Sequence, residues 1–221
     1  MEKKLDLNFC KLFYSLDDKN VLFEKNILIQ AYNTNKDFAK IKIPIFDVKL
    51  IYSRKEFDEI LGYKSPDYAA AFAKDDNVFI FGYGVFEQET IWKKEDFLKT
   101  LIHELNHLFY QELRDDEYDP LWLSEGLATF MQHNKKKFNY KKILKIDKKT
   151  INQHFEEMTI DSYQIFTMFV EYLILEFGEK KILKLIEGLK GGENIDNLFK
   201  CIYDNSFDEL IENGNKYNET T

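Results

Sequence analysis

The sequence is poor in cysteine, proline and glycine, and each shortage removes a class of protein. Two cysteines occur, Cys10 and Cys201, far apart and without the close spacing of a thiolate metal site. The expectation is two free, buried thiols in a reducing compartment. Three prolines and nine glycines among 221 residues form no Pro/Gly/Ser-rich linker, and there is no internal repeat or low-complexity tract to force a domain boundary. No apolar run reaches the roughly twenty residues of a membrane-spanning helix. At the N-terminus the apolar character is broken by Asp6, Asn8 and Lys11, so no signal-peptide core can be drawn. An excess of positive charge is also missing. Lys+Arg 31 against Asp+Glu 39 gives a formal charge of -8, which speaks against nucleic acid or anionic lipid as a partner of the whole molecule. A soluble, cytoplasmic chain without a membrane or nucleic-acid partner is expected.

Apolar side chains, by contrast, are plentiful. Hydrophobic residues make up 44% and aromatics 16%, with 20 Phe and 13 Tyr, which is the composition of a folded globular protein. The length suits one domain, with or without a small extension. Residues 1–40 are mixed, with Leu12, Phe13, Leu16, Val21, Leu22 and Phe23 at roughly helical spacing. They read as an N-terminal extension packed on a domain at 41–221.

From Ile41 the pattern becomes alternating through Ile43, Ile45, Val48, Leu50 and Tyr52, which predicts a strand with an edge or bulge at Pro44. Ser53-Arg54-Lys55-Glu56 is a capping box for a short helix that Gly62 can close. Asp67 to Ala73 and Asn77 to Phe81 make a plausible hairpin around Asp75-Asp76-Asn77, ended by Gly82 and Gly84.

A helix is predicted from about Lys93 to about Arg114. At 100° per residue, Phe97, Leu98, Leu101, Ile102, Leu105, Leu108 and Phe109 form one apolar stripe. His103 and His107 lie opposite, with Asp96, Thr100 and Arg114, facing a cleft. The segment His103-Glu104-Leu105-Asn106-His107 has the form H-E-x-x-H: two histidines on one helical face can grip one metal ion while the glutamate handles a proton. A lone histidine is more often structural than a ligand, but this pentapeptide on an amphipathic helix is a zinc-hydrolase signature.

A catalytic zinc site takes three protein ligands and keeps one position open. Asp119 as N-cap and Pro120 as first residue predict a second helix, Leu121-Trp122-Leu123-Ser124-Glu125-Gly126-Leu127-Ala128-Thr129 onward. Within its apolar surround Glu125 is the odd residue, and Gly126 and Ala128 beside it allow a close approach. Alone, Glu125 reads equally as a solvated helix glutamate; beside His103 and His107 it becomes the candidate third ligand. The other candidates, Asp115, Asp116 and Glu117, sit in what reads as a turn and are better taken as solvated charge.

H-E-x-x-H followed by W-L-S-E-G-L-A resembles the gluzincin metallopeptidases, the thermolysin and aminopeptidase N relatives. The resemblance covers roughly Ile45 to the C-terminus and is best for the short peptidase-MA-like domains. It implies that His103, His107 and Glu125 hold one Zn2+ and that Glu104 is the general base. The spacer Leu108 to Ser124 is seventeen residues, slightly shorter than the family's usual interval. Downstream, Ser162-Tyr163-Gln164-Ile165-Phe166 is similar to the aminopeptidase segment whose tyrosine donates to the oxyanion, with Tyr163 at the matching position. An ordinary amphipathic-helix tyrosine is the competing reading. There are two departures from the family. No G-x-M-E-N stretch is present, so aminopeptidase specificity is not implied. Thr129 stands four residues after Glu125 where thermolysin-type enzymes carry an Asp, which leaves the group orienting the histidines open.

The remaining signals are structural. Residues 134–149 are lysine-rich (Lys135, Lys136, Lys137, Lys141, Lys142, Lys145, Lys148, Lys149) and, with only Phe138 and Tyr140 interleaved, read as solvated surface. His133 and His154 read as surface histidines. After the Tyr163 helix, Gly178 is a stop, Gly191-Gly192 ends another helix, and Asn194 caps a short one through Tyr203. A box at Ser206-Phe207-Asp208-Glu209 opens a last helix that Gly214 closes.

The expected fold is α+β: a small, mainly antiparallel sheet from about Ile41 to Phe81 and then a mostly helical half, the zincin-like arrangement, with Val78 to Phe81 bordering the cleft as a strand that could bind an extended peptide by β-pairing. The expected function is zinc-dependent hydrolysis of peptide bonds by a monomer acting on a peptide or protein. The alternative is a catalytically idle zinc-binding regulator on the same scaffold. Glu104 and Tyr163 weigh against it, because mere metal binding needs neither.

Overall fold

The computed structural model describes residues 2–74, 77–114, 119–133, 135, 144–153 and 157–220. In chain order these form strands β1 (Glu2–Asp6) and β2 (Cys10–Ser15), helix α1 (Val21–Ala39), strand β3 (Phe46–Ile51) and helix α2 (Arg54–Leu61). Strands β4 (Ala71–Lys74) and β5 (Asn77–Phe81) precede helices α3 (Phe86–Glu89), α4 (Phe97–Arg114), α5 (Leu121–Gln132) and α6 (Lys148–Ile151). The chain ends in α7 (Ile160–Phe177), α8 (Glu179–Lys190), α9 (Ile195–Tyr203) and α10 (Phe207–Thr220). The fold is α+β. Two compact units are present, Met1–Phe109 and Tyr110–Thr221, and the boundary falls inside α4.

The first unit is built on one five-stranded sheet, ordered β1-β2-β3-β5-β4. Its outer pairs are antiparallel and its inner pairs, β2 with β3 and β3 with β5, are parallel. The sheet is therefore mixed, and it starts at Glu2 rather than near Ile41. Parallel neighbours need a crossover between them. Helix α1 supplies the one between β2 and β3, and α2 lies between β3 and β5. Alternation within a strand carries no information on pairing direction. β1 was also invisible: Glu-Lys-Lys-Leu-Asp is an exposed, charged edge strand with nothing to alternate. The helical reading of the first forty residues applies only from Val21.

Register brings the apolar side chains of the inner strands together. Cys10 pairs with Phe46, Leu12 with Val48, Val48 with Val78, and Leu50 with Ile80, and all of these are buried. On the opposite face Lys49 lays its ammonium over the rings of Phe79 and Phe13, 5.2 and 6.0 Å from their centroids. β5 is paired on both sides, so the expected strand-addition site at Val78 to Phe81 is closed; β4 is the edge strand there. The expected hairpin is β4 and β5, and Asp75 and Asp76 of its turn lie outside the described residues. Ser53 caps α2 by accepting from the Glu56 N–H, and Gly62 closes it at φ 85°. Of the two thiols only Cys10 is buried, which pushes it up to about 12; Cys201 is exposed on α9.

One polar cluster stands at the start of α1. Glu24 is 1% exposed, and its Oε1 accepts from the Tyr83 N–H at 2.6 Å. Burial raises its carboxyl to about 8, with the neighbouring Asp18 adding to the rise against the Tyr83 hydrogen bond. The Tyr52 hydroxyl donates to Asp18 Oδ2 at 2.7 Å and accepts from the Ser15 N–H at 3.0 Å.

The second unit is helical. Trp122 of α5 packs against Phe169 of α7 with centroids 5.0 Å apart, and Phe199 of α9 stacks on Phe207 of α10 at 4.9 Å. All four are buried, and each is worth about 1.5–3 kcal/mol over an exposed side chain. Thr159 and Ser162 form a reciprocal capping box at the start of α7. Asn194 caps α9 through the N–H groups of Asp196 and Asn197, and the Ser206–Glu209 box precedes α10. Gly214 does not close α10, which runs on to Thr220. A Cβ there would stand 3.1 Å from Tyr172 Cδ1 and 3.2 Å from Ile146 Cδ1, so this glycine is a packing residue. Among the described residues no helix is long and apolar enough to cross a membrane.

Candidate metal centre

Helix α4 carries the H-E-x-x-H segment. A 3-10 turn, Lys94–Asp96, leads into it, with Asp96 Oδ2 accepting from the Lys93 N–H at 3.2 Å. Phe97, Leu101, Ile102, Leu105, Leu108 and Phe109 are buried, as their periodicity predicts; Leu98 is half-buried. The other side differs from the open cleft face expected. His103 and Glu104 are half-buried, but His107 is 6% exposed, and Tyr110 and Arg114 are buried as well. The helix is thus enclosed on both sides from Leu105 on, apart from Gln111 to Leu113. The imidazole centroids of His103 and His107 stand 4.9 Å apart at 82°, as side chains one helical turn apart should.

The Asp119 carbonyl marks where α5 begins. It accepts from the Tyr110 hydroxyl at 3.2 Å and from Arg114 Nε and Nη2 at 3.2 and 3.1 Å. Asp119 is not the N-cap: Pro120 takes that position, α5 starts at Leu121, and the Asp119 side chain is exposed. What Asp119 contributes is its main chain. Trp122, Leu123, Leu127, Ala128 and Phe130 bury the apolar side of α5, and Glu125 is half-buried.

The candidate ligand atoms of His103, His107 and Glu125 all lie within 4.8 Å of one another. Ligand bonds of about 2.0–2.2 Å at tetrahedral angles would set such atoms about 3.3–3.6 Å apart, a spacing that lies within this limit. Two imidazoles and a carboxylate are a donor set that suits zinc. This His-His-Glu group could hold a metal ion. The competing third ligands Asp115, Asp116 and Glu117 lie outside the described residues.

Tyr163 is half-buried in the first turn of α7, and its carbonyl accepts from Thr167 Oγ1 at 2.8 Å. Gly126, next to Glu125, lies against the α7 main chain at Phe166, one turn beyond Tyr163. The close approach expected of Gly126 is thus made to a helix backbone. His133 is half-buried rather than on the surface, and His154 lies outside the described residues. In the lysine-rich stretch, Lys135 pairs with Glu179 at 3.0 Å and Lys148 with Asp208 at 2.6 Å. Lys145 and Lys149 are exposed, and Lys136, Lys137, Phe138, Tyr140, Lys141 and Lys142 lie outside the described residues.

Asn106, inside the H-E-x-x-H segment, meets Asn35 of α1. Both are buried, at 0% and 2% exposure, and their amides are joined by a 2.9 Å hydrogen bond. Asn35 is polar at an apolar phase of α1, whereas Asn106 lies between the apolar stripe of α4 and its histidine face.

The sequence model of the Peptidase MA superfamily matches residues 34–217. No curated protein matches the chain.

Proposed function

This chain belongs to the Peptidase MA superfamily, and from that premise we propose that it is a zinc-dependent peptidase hydrolysing peptide bonds in a peptide or protein substrate. The observation that carries the reading is the convergence of His103, His107 and Glu125 ligand atoms to within 4.8 Å. Zinc bound there would supply Lewis acidity, making water more acidic and polarising the scissile carbonyl.

The remaining work belongs to the chain's own side chains. Glu104 follows His103 on α4 and is half-buried; its carboxylate would take a proton from the attacking water and deliver it to the departing amine. The Tyr163 phenol would donate to the oxyanion of the tetrahedral intermediate, a role that a neutral donor fills without adding charge. An extended substrate would pair along β4, the edge strand next to β5.

Elemental analysis and cleavage of a peptide library test this together. The unaltered chain should carry one zinc and cleave; His103→Ala should lose both properties, and Glu104→Gln should keep the metal and lose cleavage. Glu104→Gln cleaving at the native rate would refute the mechanism. A native chain without bound metal would refute the zinc assignment.

A further inference from the structure

We propose that Asn35 and Asn106 are positioning residues for the metal-binding turn of α4, an amide pair through which α1 sets the rotation of the helix that carries His103 and His107. The inference rests on the zinc reading above and adds to it the group that orients the histidines.

The geometry is specific to that turn. Asn35 Nδ2 donates to the Ala31 carbonyl of its own helix at 3.1 Å and to the Ile102 carbonyl of α4 at 3.0 Å. Carbonyls only accept, so these two bonds fix which way the Asn35 amide faces. Its Oδ1 must then meet a donor, and Asn106 Nδ2 supplies one at 2.9 Å. The Asn106 amide is fixed in turn, since its flipped form would set oxygen against oxygen. Ile102 immediately precedes His103, and Asn106 immediately precedes His107. Asn35 therefore grips α4 at two points one turn apart, each adjacent to one of the two histidines.

Apolar packing alone would tolerate a small rotation or slide of α4, because Leu and Phe contacts are not directional. Two directional bonds to one buried side chain do not tolerate it. Imidazole ligands require such fixing, since a small turn of the helix swings their nitrogens away from a common ion.

The test compares zinc affinity, by chelator competition, with the thermal stability of the zinc-free protein. Asn35→Leu should lower both, the affinity about tenfold or more. The double variant Asn35→Leu with Asn106→Leu replaces both amides by apolar groups of similar size. It should regain much of the zinc-free stability while affinity stays low. The visible spectrum of the cobalt-loaded double variant should also differ from that of the native chain. Should Asn35→Leu fail to fold, Asn106→Ala leaves both carbonyl bonds of Asn35 in place and takes the same measurements. Native affinity and a native cobalt spectrum in the variants, with the unaltered chain binding one zinc, would overturn this inference alone. No zinc on the unaltered chain would overturn the zinc reading and this inference with it.

Discussion

Gly126 lies so close to the main chain at Phe166 that a Cβ would stand 2.6 Å from the Phe166 carbonyl oxygen and 2.7 Å from Val170 Cγ2. Neither obstacle is the tip of a flexible side chain. Adding one methyl group must push α5 off α7. Glu125 is the residue next to this contact, so the helix spacing that Gly126 permits also sets the position of the candidate carboxylate ligand.

Gly126→Ala should therefore destabilise the chain by about 1–3 kcal/mol through overpacking and weaken zinc binding. Chemical denaturation and chelator competition measure the two effects. A variant with native stability and affinity would show that α5 adjusts freely and that the close contact is incidental.

Tyr163→Phe should lower turnover by about 10²-fold or more with zinc content unchanged, because a single oxyanion donor is typically worth that much. The ring stays and only the hydroxyl goes, so folding should be native by circular dichroism. Turnover within a few-fold of the native rate would return Tyr163 to a packing role.

Glu24 makes stability depend on pH. Its carboxyl is raised by burial, and by Asp18 beside it, from 4.5 to about 8. The folded chain keeps a proton there that the unfolded chain releases above pH 4.5. The contribution is complete below that pH and is lost as pH rises through about 8. The slope should be at most about 1.4 kcal/mol per pH unit between those limits. Glu24→Gln cannot ionise and should flatten it, as urea denaturation across the range would show. An unchanged slope would mean that Glu24 is already ionised in the folded chain.

Removing the metal should lower thermal stability as well as activity. An ion bound only by the folded chain adds about 2.7 kcal/mol at a hundredfold excess over its Kd, and α4 and α5 are the elements it would tie together. A chelator should lower the melting temperature of the native chain and leave that of His103→Ala unchanged. Equal shifts in both would place the stabilising ion elsewhere.

The readings that agree with the structure share a short range. The stripe Phe97, Leu101, Ile102, Leu105, the capping boxes at Ser53 and Ser206, and the Asn194 cap each depend on neighbours within about four residues. His103 and His107 belong to this class, since a helix puts positions four apart on one face whatever surrounds it. Glu125 required the histidine pair as well, because it stands on a different helix and reads equally as a solvated glutamate when taken alone.

What failed was decided by distant contacts. The charged edge strand β1 has no pattern of its own, and its partner Ser15 supplies the strand character of Glu2. Gly214 carries the same local signal as a helix stop, yet Tyr172 and Ile146 make it a packing contact in mid-helix. Asp119 has the side chain of an N-cap, but the Arg114 and Tyr110 donors engage its carbonyl instead.

By itself, then, the sequence determined the α+β class and the helix bearing the two histidines through short-range periodicity, and it offered Glu125 as a candidate only beside that pair. Only the tertiary structure decided the parallel core of the sheet, the burial of His107 and the amide grip of Asn35 on Asn106 across 71 residues. Local sequence specifies which conformations are cheap, whereas directional bonds between segments form only when the whole chain has brought them together.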